Sequence, residues 1–159
     1  MATLLLFILG ASLGTVLDHM HVAGGATSYA HPFLWDQAWF VPPLFGFAAA
    51  GFGDLHQRLR RLLLSTAPTR ERVWIDGVLF VGAYAVSAFV KMDHAVMALV
   101  FVGAWAVRWW LTGHNQLSLV HGLACAALGV GTETQLVRLG LFTHHQADLA
   151  GVPYWLAGL

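Results

Sequence analysis

Charge is scarce in this chain. Only 10% of its 159 residues are Asp, Glu, Lys or Arg, against about a quarter in an ordinary soluble domain, which argues against a water-exposed globule. Eight basic side chains balance eight acidic ones, so no net field of one sign draws the chain to nucleic acid or to acidic lipid. A single cysteine, Cys125, excludes an internal disulfide, and Ala124 and Ala126 beside it suggest a packed thiol rather than a nucleophile. There is no G-x-x-x-x-G-K-[ST] phosphate loop and no G-x-S-x-G elbow, which leaves ATP-driven and serine-nucleophile chemistry without support. Nor is there an internal repeat of the kind from which secondary transporters are built. Met1-Ala2-Thr3 lacks the Lys or Arg that opens a secretory signal, so the apolar run that follows is read as a retained first helix.

Hydrophobic residues, by contrast, make up 58% of the chain, and the mean hydropathy is +0.67. Long apolar runs fall near residues 3–17, 38–53, 73–90, 95–111 and 116–142. Trp35, Trp39, Trp74, Trp109, Trp110 and Trp155 cluster at their ends, where an amphipathic ring prefers the headgroup level. Lipid cannot hydrogen-bond a bare backbone, and the alternating ten-residue strands of a barrel are missing, so the spans must be helices. The expected fold is an all-α, polytopic transmembrane bundle forming one domain over residues 1–159. Arg58, Arg60, Arg61, Arg70 and Arg72 lie between the second and third runs. The positive-inside bias makes that connection cytoplasmic, puts the N-terminus inside and places the His-rich stretch from Asp18 to Asp36 in an outer loop. From Val152 onward, the eight last residues would reach only about 12 Å as a helix and cannot cross alone.

The most informative stretch is Ala38-Trp39-Phe40-Val41-Pro42-Pro43-Leu44-Phe45-Gly46-Phe47-Ala48-Ala49-Ala50. Two readings of the prolines are open. They occupy the first helical turn, where amide hydrogens are not needed, or they kink the helix and open a wedge whose free carbonyls face a ligand hydroxyl. Gly46 with Ala50, Ala49 with Gly53, and Gly10 with Gly14 stand at four-residue spacing, which lets helix backbones approach closely in lipid. Asp76 follows Arg72 by four residues, and an i,i+4 ion pair would account for it. Glu133 and Gln135 lie in the fifth run, facing either a lipid head or another helix. Asp93 either caps the fourth helix or meets a partner.

The stretch from Trp39 to Ala50 resembles the A-W-[WF]-V-P-P-x-x-G-x-A-A-A signature of the Insig family of sterol-regulated membrane proteins. Lys91-Met92-Asp93 is similar to the family's K-x-D between helices three and four, and Trp109-Trp110 to its W-W closing helix four. Thr134-Gln135, Gly140, Asp148 and Trp155-Leu156 follow in matching order, so the similarity runs from about residue 35 to the end. The resemblance implies an Insig-type bundle, seen here as five full spans and the start of a sixth, which the family places after its W-L. Three residues past that pair the sequence ends, which reads as a truncated sixth helix; compactness without long tails suggests a prokaryotic relative. It further implies a role for Asp93 in engaging a partner, which in animal members is the escort protein Scap.

The expected function is therefore non-enzymatic: an integral membrane lipid-binding sensor or regulatory scaffold, in a bacterial inner membrane, or in the endoplasmic reticulum if the source is eukaryotic. The expected ligand is a bound membrane lipid, diacylglycerol or sterol-like, and no other cofactor, no metal and no nucleic acid. Trp39, Phe40, Pro42, Pro43, Gly46, Asp76 and Gln135 are the candidate lipid-binding residues, and Lys91 and Asp93 the candidate contacts to a membrane-protein partner. A homo-oligomer is expected because small-residue faces need neighbours. The rival class is a His-dependent metalloenzyme acting on lipid. Asp18, His19, His21, His31 and Asp36 would share one surface with His144, His145 and Asp148, although no diagnostic histidine box is present.

Overall fold

A computed structural model describes residues 1–159. It contains five long helices: α1 (Ala2–Ala23), α2 (Val41–Leu62), α3 (Arg70–Phe89), α4 (His94–Leu111) and α5 (Gln116–Arg138). Two short strands, β1 (Thr27–Tyr29) and β2 (Phe142–His144), and a terminal 3₁₀ turn, Tyr154–Gly158, complete it. Length and composition suit α1, α3 and α4 to crossing a membrane. In α2 the C-terminal half carries Asp54, Arg58, Arg60 and Arg61, and in α5 Glu133, Gln135 and Arg138 lower the apolar content. Only 20 of 159 residues are buried, while Leu4, Leu5, Ile8, Val78 and Leu99 stand exposed. Water would not tolerate so wide an apolar surface, whereas lipid tails solvate it.

Three boundaries differ from the sequence-based expectation. Helix α1 continues to Ala23, so Asp18, His19 and His21 belong to a helix and not to an outer loop. The fifth helix ends at Arg138 instead of near 142, and Phe142–His144 is a strand. The residues after Val152 turn into a 3₁₀ segment rather than starting a sixth span.

One signal governs the first two of these. Gly25 at φ +71° and Gly140 at φ +68° adopt the left-handed conformation that only glycine takes without strain. The bonds Gly25 N→Val22 O and Ala26 N→His21 O close α1. Gly140 N→Val137 O and Leu141 N→Leu136 O close α5 in the same Schellman pattern. The two chains then leave their helices side by side, and β1 pairs antiparallel with β2 in the register Thr27↔His144, Ser28↔Thr143, Tyr29↔Phe142. Ser28 and Thr143 share a hydroxyl bond on the exposed face (3.1 Å), while Thr27 and Phe142 are buried beneath.

Helices α1 and α2 pack against each other along their small residues. A Cβ built at Gly10 would meet Phe45 O at 2.5 Å, and one at Gly46 would meet the Phe7 ring at 2.7 Å. This is close backbone approach, which supplies helix association where lipid removes the hydrophobic drive. At the other end of the chain, Trp155 packs on Met97 and Phe101 of α4. Overpacking of this kind costs about 1–3 kcal/mol. Thermal unfolding in detergent is therefore expected to show Gly10→Ala destabilised by about that amount. Gly51→Ala, where nothing lies within 4 Å of the added Cβ, should be neutral or stabilised by up to about 1 kcal/mol through helix propensity.

Candidate functional site

Helix α2 begins at Val41, so Pro42 and Pro43 fill its first turn. Ala38 O accepts Val41 N at 3.1 Å and Phe40 O accepts Leu44 N at 2.9 Å, so these two carbonyls are satisfied and the entry is a tight turn. The first-turn reading of the prolines therefore describes the chain; the kinked wedge does not form. What forms instead is an apolar groove of about 580 Å³ between the start of α2 and the end of α5. Trp39, Phe40, Pro43 and Phe47 line it from one side, Leu136 and Leu141 from the other, with His31 the main polar contributor. Trp39 and Phe47 remain largely exposed toward the surrounding medium.

Next to this groove, under the β1–β2 sheet, lies a polar cluster inside the sheet-capped end of the bundle. Asp18 Oδ2 accepts from Tyr29 Oη at 2.8 Å and from Gln37 Nε2 at 2.6 Å. Gln37 is almost fully buried and its amide also donates to Thr15 O at 2.9 Å. Burial first, and the adjacent Asp18 carboxylate second, push the Tyr29 phenol well above its ordinary range, so it stays a donor. His21 lies 2.8 Å from Ser87 Oγ and stacks on Tyr84. His144 Nε2 meets Glu133 Oε2 at 2.9 Å. Trp155 closes the cluster, its ring within 5.6 Å of His21 and 6.3 Å of His144. Glu133, expected to face a lipid head or another helix, holds strand β2 through His144.

The residues singled out in the sequence separate into three places. Trp39, Phe40 and Pro43 line the groove, and Pro42 sits beside them in the same turn. Gly46 faces Phe7 of α1 and belongs to the helix seam, not to the groove. Gln135 is exposed one residue from Leu136. Asp76 is at the opposite, Arg-rich end of the bundle, where it pairs with Arg108 of α4 at 2.7 Å in place of Arg72. Lys91 is exposed between α3 and α4, and Asp93 Oδ1 caps α4 by accepting Ala95 N (2.9 Å) and Val96 N (3.1 Å).

The histidines scatter. His19 turns to Trp35 O, His21 to Ser87, His94 to Asp148 and His144 to Glu133. No three His, Cys, Asp or Glu side chains converge as a metal would need. Sequence reasoning missed Tyr29, Gln37, Thr27 and Ser87. For Asp18 and His21 a usable signal existed: they stand three apart, on one face of a helix that Gly24-Gly25 terminates.

No protein-family model matches the chain. An Insig protein homolog of Mycolicibacterium vanbaalenii, however, is 33% identical over 163 residues, spanning 97% of this chain and 77% of that protein. The chain belongs to the Insig family. The insulin-induced gene 1 protein of Gallus gallus is 25% identical, and the chain spans 64% of its length. The crystal structure of MvINS, the mycobacterial Insig homolog from Mycobacterium vanbaalenii, superposes with a TM-score of 0.82 at 30% identity. It covers 98% of this chain and 84% of MvINS, and a cross-linked MvINS trimer matches equally well. The mostly helical architecture is thus the Insig fold, and the protein is an integral membrane protein.

One clasp of this Insig fold is tied to pH. Asp148 Oδ2 accepts from Tyr154 N (2.9 Å) and meets His94 Nδ1 (2.7 Å), pinning the terminal turn to the start of α4. Partial burial works against the charge, yet the Tyr154 amide and the His94 ring hold the carboxyl below its usual range. A lowered carboxyl contributes stability that is full above its unfolded value, near 4, and is lost as the pH falls through the folded value. The protection of the Tyr154 amide, the slowing of its exchange relative to that of an unstructured amide at the same pH, is therefore expected to be high at pH 7 and to fall below about pH 4. In Asp148→Asn, low protection should already hold at neutral pH.

Proposed function

We propose that this Insig-family protein is a non-enzymatic lipid-binding sensor or regulatory scaffold, with its lipid in the groove between α2 and α5. The observation that carries the reading is the groove itself: its volume of about 580 Å³ falls in the range of ligand sites. Its walls are aromatic and aliphatic, and it faces the lipid phase. A diacylglycerol or a sterol-like molecule suits such walls, which supply binding by apolar burial. The lipid acts by preferring one helix arrangement and shifting its population, so that no bond needs to be broken.

Exposed Lys91, together with Asp93, offers a contact to a membrane-protein partner. The cross-linked trimer of MvINS supports self-association of this chain as well. The Arg-rich α2–α3 connection supports an inside N-terminus in a bacterial inner membrane, with five helices crossing.

Protein purified in mild detergent is expected to carry a stoichiometric apolar lipid detectable by mass spectrometry. Leu136→Trp, which fills the groove from the α5 side, should lower that occupancy by about tenfold, a loss near 1.4 kcal/mol, with little change in thermal midpoint. Full lipid retention by the variant would refute the groove assignment.

A further inference from the structure

Three buried polar atoms gather under the β1–β2 sheet without a protein partner: Thr27 Oγ1, Gln37 Oε1 and His144 Nδ1. They belong to residues that hardly see solvent, Thr27 at 4% and Gln37 at 1% exposure, with the His144 side chain at 3%. Thr27 and His144 stand opposite each other in the sheet register. Gln37 joins them through Asp18, whose Oδ2 holds both Gln37 and the Tyr29 hydroxyl two residues along β1 from Thr27. Leaving such groups unpaired is costly, so each demands a partner.

The chemistry of the three atoms defines that partner. Gln37 Oε1 can only accept. The His144 ring gives its Nε2 hydrogen to Glu133, so in the neutral ring Nδ1 also accepts. Thr27 Oγ1 does either. A guest here must therefore donate. Asp18 and Glu133 already place two carboxylates in the cluster, and no Lys or Arg pairs with either, so a phosphate would meet repulsion and offer only acceptors.

The position matches the groove. Gln37 precedes the groove residue Ala38, and Phe142 follows the groove residue Leu141. The Phe40 ring of the groove meets the Tyr29 ring at 6.0 Å, and Tyr29 in turn meets Phe142 at 5.6 Å. Resting on the proposed lipid groove, we infer that the cluster under the sheet is its head subsite, where Thr27, Gln37 and His144 select lipids by a hydrogen-bond donor such as a free hydroxyl and reject phosphate-bearing ones.

Native mass spectrometry of the full chain in mild detergent tests this with four lipids of one apolar body: dioleoylglycerol, its 3-O-methyl ether, its 3-amino analogue and dioleoyl phosphatidic acid. The free hydroxyl is expected to bind about tenfold more tightly than the methyl ether, the worth of one or two hydrogen bonds in a dry site, and the phosphate more weakly still. Thr27→Val breaks no protein hydrogen bond and should narrow the hydroxyl preference to about threefold or less while leaving the thermal midpoint unchanged or raised. Equal binding of the alcohol and its ether would overturn the head subsite and leave the groove standing. Absence of binding by all four would overturn the groove and the subsite together. Tighter binding of the phosphate than of the alcohol, binding of the amine no better than that of the ether, or a preference that survives in both Thr27→Val and Gln37→Leu, would also overturn the assignment.

Discussion

The carboxylate of Asp18 constrains the sheet-capped half of this molecule. A carboxylate taken out of water inside a helix bundle must be met by donors or it costs several kcal/mol. Here one oxygen collects the Tyr29 hydroxyl and the Gln37 amide. Tyr29 comes from the strand after α1 and Gln37 from the turn before α2, so satisfying one side chain fixes how the chain travels between the two helices. The buried Gln37 then places Ala38 and the start of α2, and hence the aromatic wall of the groove. The polar cluster and the apolar groove are in this sense two sides of one constraint.

Elsewhere the bundle is joined sparingly. Helices α1 and α2 interlock through glycines, while α4 and α5 are linked largely through the terminal turn around Trp155. The two groups meet at the sheet above and along α2 and α5, where His121 bonds Phe52 O. On the Arg-rich side, the Asp76–Arg108 pair spans α3 and α4. Few side chains fill the space between, so the helices enclose no dense core.

Much of this was legible from residue order. The helical class, the five segments and the small-residue seam follow from hydropathy and four-residue spacing, because lipid leaves a chain few alternatives. Within the Insig signature around Pro42 and Pro43, the residues Trp39, Phe40 and Pro43 line the apolar groove. The partners of the polar residues were not legible. Glu133 pairs with His144 and Asp76 with Arg108, across separations that periodicity does not encode. Asp18 and His21 were assigned to a loop because polar residues resemble a boundary, although the helix stop written in Gly24-Gly25 comes later. Gly46 looked like room for a ligand and is instead room for Phe7.

The two-stranded sheet joins Ser28 to Thr143, 115 positions apart. During synthesis the first strand must wait for nearly the entire polypeptide before its mate emerges, so the lid over Asp18 is among the last parts to close. Until then an edge of unpaired amides and a polar interior stay open. Closure of this end is thus tied to completion of the C-terminal portion, and without Phe142–His144 that interior has no roof.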